Sequence, residues 1–224
     1  CRTVRGGDGQ GPATRACFWH TRLQARPHRM RVLRASFNGE LGYEINLPAQ
    51  ETSSLIDRLW DLGHDLGVVP YGIEALMVMR TEKGFLHVGG DTDGTTLPGD
   101  IGMDRGIAKK AANFVGRRSL LRPASLDASR MQLVGLIPVD RKTLLPVGAH
   151  VVAPPGPPGL IDGFVTSSHP SPNLGHPVAL AMLQRGRARV GEIITVHHLG
   201  KAIDAQVVVT PFFDPQGERL NGRD

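Results

Sequence analysis

Between Gln132 and Val209 the chain is cut into six short apolar runs: Gln132–Val139, Gly148–Ala153, Gly163–Thr166, Val178–Leu183, Glu192–His197 and Ala202–Val209. Each is too short for an ordinary helix, and turn-forming residues lie between them. The stretch Pro154-Pro155-Gly156-Pro157-Pro158-Gly159 separates the second run from the third. Six strands at this spacing predict a small all-β barrel or sandwich. Ser125–Ser129 reads as the linker before it, so this domain is expected over residues 125–224. His197 and His198 are adjacent, and neighbours on a strand point to opposite faces, which is poor geometry for a shared metal.

Upstream the pattern changes. In Ser36–Leu47, read SFNGELGYEINL, a polar corner at Asn38-Gly39 sits between two apolar-leaning segments. Asn-Gly is a strong hairpin signal because both residues tolerate positive φ. Arg31–Phe37 therefore reads as one strand. Tyr43, Ile45 and Leu47, alternating with Glu44 and Asn46, read as its half-buried partner, with Glu44 on the face opposite Tyr43. Pro48 ends it, since proline cannot donate to a ladder. Leu55, Ile56, Leu59, Leu62 and Leu66 then recur at helical spacing, with Trp60 among them as a core or domain contact. A second helix is expected from about Ile73 to Lys83, stopped by Gly84. The run Asp91-Thr92-Asp93-Gly94 starts like a calcium loop but lacks the further acids, the closing glutamate and the flanking helices. The fold class is thus α+β: a mixed part over residues 31–124 followed by the β part.

Composition adds one constraint. The net charge of +5 over 224 residues suggests a polyanion until it is located. Residues 1–30 hold six Arg and one Asp, which leaves 20 basic and 20 acidic residues in the rest. A balanced body makes no general electrostatic case for nucleic acid. No apolar run approaches the roughly 18 residues that span a bilayer. The polar, arginine-rich start shows no signal peptide, so a cytoplasmic protein is expected. Residues 1–30 carry no helical or strand period. Cys1 and Cys17 have no metal or redox spacing, and Pro12 spoils any dinucleotide fingerprint in the nearby glycines. This leader reads as disordered or as a misread frame of a GC-rich gene.

Several motifs, in order, resemble one family. Phe37-Asn38-Gly39-Glu40-Leu41-Gly42-Tyr43-Glu44-Ile45 resembles the aromatic-x-GE-x-GYEI hairpin of the folate-dependent aminomethyltransferases, the T-proteins of glycine cleavage. Pro70-Tyr71-Gly72 with Met79-Arg80-Thr81-Glu82-Lys83-Gly84 resembles their P-x-G…R-x-E-x-G helix. Phe114-Val115-Gly116-Arg117-Arg118-Ser119-Leu120 resembles their F-[IV]-G-[KR]-x-[AS]-L segment. Val165-Thr166-Ser167-Ser168, Ser171-Pro172-Asn173-Leu174-Gly175 and Val178-Ala179-Leu180-Ala181 resemble the VTS…SP-x-LG…IALA signature of the C-terminal barrel. The resemblance runs from about Arg31 to the end. Lys83, where aminomethyltransferases usually have Ala, is more like the flavin-dependent amine oxidases and demethylases, and the ending Pro211-Phe212-Phe213-Asp214-Pro215-Gln216-Gly217-Glu218-Arg219-Leu220-Asn221-Gly222 resembles that of the α subunits of heterotetrameric sarcosine oxidases.

The resemblance implies an aminomethyltransferase-like folate-binding domain, present in part, and a C-terminal β-barrel. It implies tetrahydrofolate as ligand, with Glu44 accepting the pterin's paired N–H groups and Phe37 and Tyr43 beside the ring. A carboxylate suits this because it can accept two parallel charge-assisted bonds. The family's catalytic Asp would lie upstream, so no catalytic residue is assigned and no metal site. Sarcosine demethylation with transfer of the carbon to tetrahydrofolate, giving 5,10-methylenetetrahydrofolate, is the implied activity. FAD, FMN and NAD, and β, γ and δ subunits, are implied for a complete enzyme, with this chain alone inactive and free of flavin. Neither a nucleic-acid nor a membrane partner is implied. Leu76 stands where aminomethyltransferases carry an Arg, which weighs against a true aminomethyltransferase paired with a lipoyl carrier. A non-catalytic folate-binding accessory protein is the third reading; its Lys-Gly-Cys-x-x-Gly-Gln-Glu motif is not matched over Asn113–Ser119.

Overall fold

A computed structural model describes residues 20–25, 28–152 and 161–222. It divides into two units, residues 1–77 with 216–224, and residues 78–215. The division falls inside a helix.

The first unit is built on a three-stranded antiparallel sheet in the order β1-β2-β3: β1 His20–Ala25, β2 His28–Arg34 and β3 Tyr43–Asn46. Within the expected leader, residues 20–25 and 28–30 are therefore strand. Ladder pairing with β2, such as Thr21↔Val32 and Leu23↔Met30, holds it there despite the weak period of its sequence. The rest of that leader, residues 1–19, lies outside the described residues. The β2–β3 connection also differs from the expected two-residue turn. Arg34 pairs with Tyr43, so eight residues, 35–42, make the link.

Side chains close that loop. Asn38 Oδ1 accepts the Glu40 N–H at 3.0 Å, and Ser36 Oγ accepts the Gly39 N–H at 3.0 Å. These local bonds compete with ladder pairing and end β2 at Arg34. Gly39 alone of the Asn-Gly pair has positive φ, +87°. At Gly42 a Cβ would lie 2.7 Å from the Ala35 carbonyl oxygen, so the loop's two ends approach too closely for any other residue. Helix α4 (Glu218–Asn221), near the end of the chain, returns to the loop. The Leu41 N–H donates to Arg219 O at 3.1 Å, Arg34 Nη2 donates to Leu220 O at 3.2 Å, and Arg219 Nε pairs with Glu40 at 2.9 Å.

Helix α1 runs Thr52–Gly63 and α2 runs Ile73–Glu82, close to the expected spans. No residue of α1 is buried, and Trp60, expected as core or a domain contact, is 41% exposed.

The second unit centres on a closed antiparallel barrel in the order β4-β7-β6-β5-β8-β9. Its strands are β4 Met131–Pro138, β5 His150–Val152, β6 Ile161–Ser171, β7 His176–Gln184, β8 Ile193–His198 and β9 Lys201–Val208. All six expected strands are present. Closure removes free edges, and every neighbouring pair is antiparallel. Inward residues fill it: Val134, Leu136, Val151, Val165, Ala181, Leu183, Val196, Ala205 and Val207 are buried. Small residues sit where strands close up. At Gly163 a Cβ would meet Met182 O at 2.5 Å. Between α2 and the barrel strands the chain forms loops, one short α-helix, α3 (Asp104–Ala108), and two single 3-10 turns at Ser119–Leu121 and Pro123–Ser125.

Candidate functional site

Two constellations stand out, one in each unit. In the first unit the β2–β3 connection and β3 present Phe37, Tyr43 and Glu44. Phe37 is 37% exposed and Tyr43 43% exposed, and Glu44 is exposed. β3 is the outer strand of its sheet, pairing only with β2 among the described residues. The expected clean alternation is not seen: Ile45 alone is half-covered, while Tyr43, Glu44 and Asn46 all face solvent. The Glu44 carboxylate makes no hydrogen bond or ion pair among the described residues, whereas Glu40, four residues earlier, is held by Arg219. Asn38 Nδ2 donates to the Tyr71 hydroxyl at 3.0 Å, which fixes a third exposed ring in the same unit. The arrangement offers an open carboxylate with free acceptor oxygens and aromatic surface on the same hairpin. That acceptor pair and ring surface fit a flat ring carrying adjacent N–H donors.

The second unit holds a buried polar network that starts at the end of α2. Arg80, Thr81, Glu82 and Lys83 are consecutive and all buried. Arg80 Nη1 meets Asp91 Oδ2 at 2.5 Å, and Arg80 Nη2 donates to Ser167 Oγ at 2.6 Å. Asp91 Oδ1 accepts from Thr166 Oγ1 and from Ser167 Oγ, both at 2.6 Å, and Oδ2 also accepts the His87 N–H at 2.8 Å. Consecutive strand residues ordinarily face opposite ways. Here the register slips between Val165 and Ser167, a β-bulge that turns both hydroxyls onto one oxygen. Glu82 accepts from Ser171 Oγ and from Asn173 Nδ2 at 2.7 Å. Lys83 Nζ donates to Asp214 O at 2.5 Å and Oδ2 at 2.7 Å. At Gly84 a Cβ would lie 2.6 Å from Thr210 Cβ.

Each residue of Arg80-Thr81-Glu82-Lys83-Gly84 that carries a charge thus engages a different later motif. Arg80 takes the Val165–Ser168 segment, Glu82 the Ser171–Gly175 segment and Lys83 the Pro211–Pro215 segment. The sequence showed these motifs but not their pairing. Asp91, read only as part of an incomplete calcium loop, is the acceptor for Arg80. Among the described residues no group of three His, Cys, Asp or Glu could hold a metal ion.

A cleft of about 430 Å³ lies in the same unit, between the Gly89–Thr96 loop and a wall of Met131, Phe164 and Met182. Its charged groups are mostly engaged within the chain. Arg130 clasps Asp100 through Nε at 2.9 Å and Nη2 at 2.6 Å, and these bonds raise the guanidinium's pKa. Asp93 Oδ1 accepts from the Thr95 hydroxyl at 2.7 Å, which with further bonds from Thr95 and Thr96 lowers its pKa. Little is left over there to orient a ligand.

Comparison with known proteins finds two successive domains of one family along the chain. Residues 13–111 match the GCVT N-terminal domain, and residues 131–214 match the glycine cleavage T-protein C-terminal barrel domain. The match begins well before Arg31, where the sequence resemblance was placed. The sarcosine oxidase subunit alpha of Corynebacterium sp. (strain P-1) is 40% identical over 200 residues, which is 86% of this chain and 20% of that protein. The aminomethyltransferase of Halothermothrix orenii is 32% identical over 181 residues, 81% of this chain and 49% of its own length. The crystal structure of glycine cleavage system aminomethyltransferase T from Bartonella henselae superimposes with a TM-score of 0.73 at 27% identity, over 87% of this chain and 52% of that one. The chain therefore spans about a fifth of the oxidase subunit it matches and about half of the aminomethyltransferases. With both family domains in order and the closed barrel in place, the chain belongs to the glycine cleavage T-protein (GCVT) family.

Proposed function

We propose that this chain binds tetrahydrofolate and serves as the one-carbon acceptor region of a sarcosine oxidase α-type subunit. The carbon released by oxidative demethylation of sarcosine would leave as 5,10-methylenetetrahydrofolate. The observation that carries the reading is Glu44: an exposed carboxylate on an outer strand, unpaired among the described residues, on the same hairpin as the exposed rings of Phe37 and Tyr43. The family match and the oxidase relatives support it. In this reading Glu44 accepts the pterin's paired donors, Phe37 and Tyr43 flank the ring, and bound tetrahydrofolate supplies the amine that takes up the carbon. Flavins, NAD and β, γ and δ subunits belong to the proposal for the assembled enzyme, as does its cytoplasmic location. Among the described residues no helix is long and apolar enough to cross a membrane. A sequence boundary near residue 125 is also proposed; it falls between the two family matches.

The test is calorimetric titration of tetrahydrofolate into the protein and its Glu44→Gln variant. The amide turns one acceptor into a donor facing the ligand's own donors. A charge-assisted bond contributes roughly 1.5–3 kcal/mol, so affinity should fall about tenfold to a hundredfold. Equal affinity for the two proteins would remove Glu44 from the site.

A further inference from the structure

The body of the chain is neutral overall, but its charge is not evenly spread. From Arg105 to Leu126 there is no Asp or Glu, and the stretch carries Lys109, Lys110, Arg117, Arg118 and Arg122, all exposed. Lys109, Arg118 and Arg122 make no ion pair among the described residues. The same stretch exposes large apolar side chains: Val115 is fully exposed, and Leu121 and Leu126 are about two-thirds exposed. It contains the Phe114–Leu120 motif, which neither the hairpin site nor the buried network uses.

The backbone of the stretch is closed by successive turns. The Arg117 N–H donates to Phe114 O at 3.2 Å, Ser119 to Gly116 O at 2.9 Å, Leu121 to Arg118 O at 3.2 Å and Ser125 to Arg122 O at 2.9 Å. Ser125 Oγ ties back to Ser119 O at 2.7 Å. Arg117 Nη1 reaches Asn113 Oδ1 at 3.2 Å, and Lys110 lies 5.3 Å from the centre of the Phe114 ring. Cations and apolar groups are thus displayed on a locally braced chain, which lowers the ordering cost of binding.

We propose that Lys109–Leu126 is a docking strip for the acidic face of a partner protein. Its charge calls for carboxylates, and Val115, Leu121 and Leu126 call for apolar groups set among them. Protein interfaces combine an apolar centre with a charged rim and favour Arg over Lys. Nucleic acid fits less well. The stretch has a single aromatic ring, Phe114, half-covered and with Lys110 over it, so no ring platform is open for base stacking. The inference does not rest on the folate reading.

The test uses the full chain and three fluorescent probes: a 20-residue peptide of alternating Glu and Leu, an oligo-Glu peptide of equal charge, and single-stranded oligo-dT of 20 nucleotides. Anisotropy at low and physiological salt should show the Glu/Leu peptide bound at least about fivefold more tightly than oligo-Glu. The charge-reversed variant R117E/R118E/R122E should bind it at least about tenfold more weakly. The variant V115S/L121S/L126S should lose the advantage of the Glu/Leu peptide and keep oligo-Glu binding. Circular dichroism of both variants checks that the fold is kept. The proposal is overturned if oligo-dT binds as tightly as the Glu/Leu peptide, if that peptide has no advantage over oligo-Glu, or if charge reversal in the folded variant leaves binding unchanged.

Discussion

Arg80 and Asp91 meet at 2.5 Å with 1% and 0% of their side chains exposed, and the hydroxyls of Thr166 and Ser167 complete the carboxylate's shell. Charges buried this deeply are stable only while each keeps its partner. In Asp91→Asn the guanidinium keeps its bonds to Ser167 and the Phe85 carbonyl but loses its counter-charge. We expect a loss of about 3–5 kcal/mol in urea unfolding. Asp57→Asn on the exposed face of α1 is the comparison and should leave the urea midpoint in place. A midpoint unchanged in Asp91→Asn would show that the pair contributes nothing net.

Gly163 tests the barrel's closure. Its missing Cβ would fall 2.5 Å from the Met182 carbonyl oxygen and 3.0 Å from Leu183 Cα, both backbone atoms of β7. A backbone cannot turn aside as a side chain can, so Gly163→Ala must part β6 from β7. The cost should be about 1–3 kcal/mol or more. Gly94→Ala, where nothing lies within 4 Å, is the matched control and should leave the thermal midpoint nearly unmoved.

Asp140 gives a pH prediction. Its carboxylate accepts from the Thr143 hydroxyl at 2.5 Å and from the N–H groups of Thr143 and Lys142. The Thr143 hydroxyl is the largest cause of a pKa lowered from 3.8 to about 2. A depressed carboxylate stabilises the fold above its unfolded pKa, and that contribution disappears as pH falls from about 3.8 through about 2. NMR titration should find Asp140 near the bottom of the carboxylate range. Thr143→Val should raise it toward the ordinary value. An Asp140 that titrates normally in the native protein would contradict the turn geometry.

Limited proteolysis addresses the proposed boundary near residue 125. Leu126 is exposed, and Asp127 and Ser129 form a local polar turn, so first cuts are expected within residues 125–129. The pieces should then stay together under native conditions. Arg130 clasps Asp100, the Leu133 N–H donates to Asp100 O at 2.8 Å, and Arg80 and Glu82 hold the barrel strand β6. First cuts inside the strands of Gln132–Val209 would place the boundary wrongly.

Glu40 is the internal control for the folate site. It is paired with Arg219 at 2.9 Å and half-covered, whereas Glu44 is open. Glu40→Gln should weaken tetrahydrofolate binding much less than Glu44→Gln. Equal losses would point to a general effect of hairpin charge.

Local pattern determined a good deal of this protein. The six barrel strands and both long helices could be read from apolar spacing, because periods of 2.0 and 3.6 are properties of a single segment. Ordered motifs identified the family for the same reason, each being a short contiguous string. Tertiary structure decided what those strings do to one another. Nothing near Arg80 in sequence names Asp91 as its partner, and the bulge at Thr166 that lets two hydroxyls share one oxygen breaks the period on which strand reading depends. The eight-residue β2–β3 loop was hidden because Asn38 and Ser36 bond to the backbone locally and α4 returns from the far end of the chain to hold Leu41. The strand His20–Ala25 was missed because a ladder partner, not its own composition, keeps it extended. Long-range charge pairs, returning segments and ladder pairing depend on the whole chain's path, and a one-dimensional pattern carries no measure of that path.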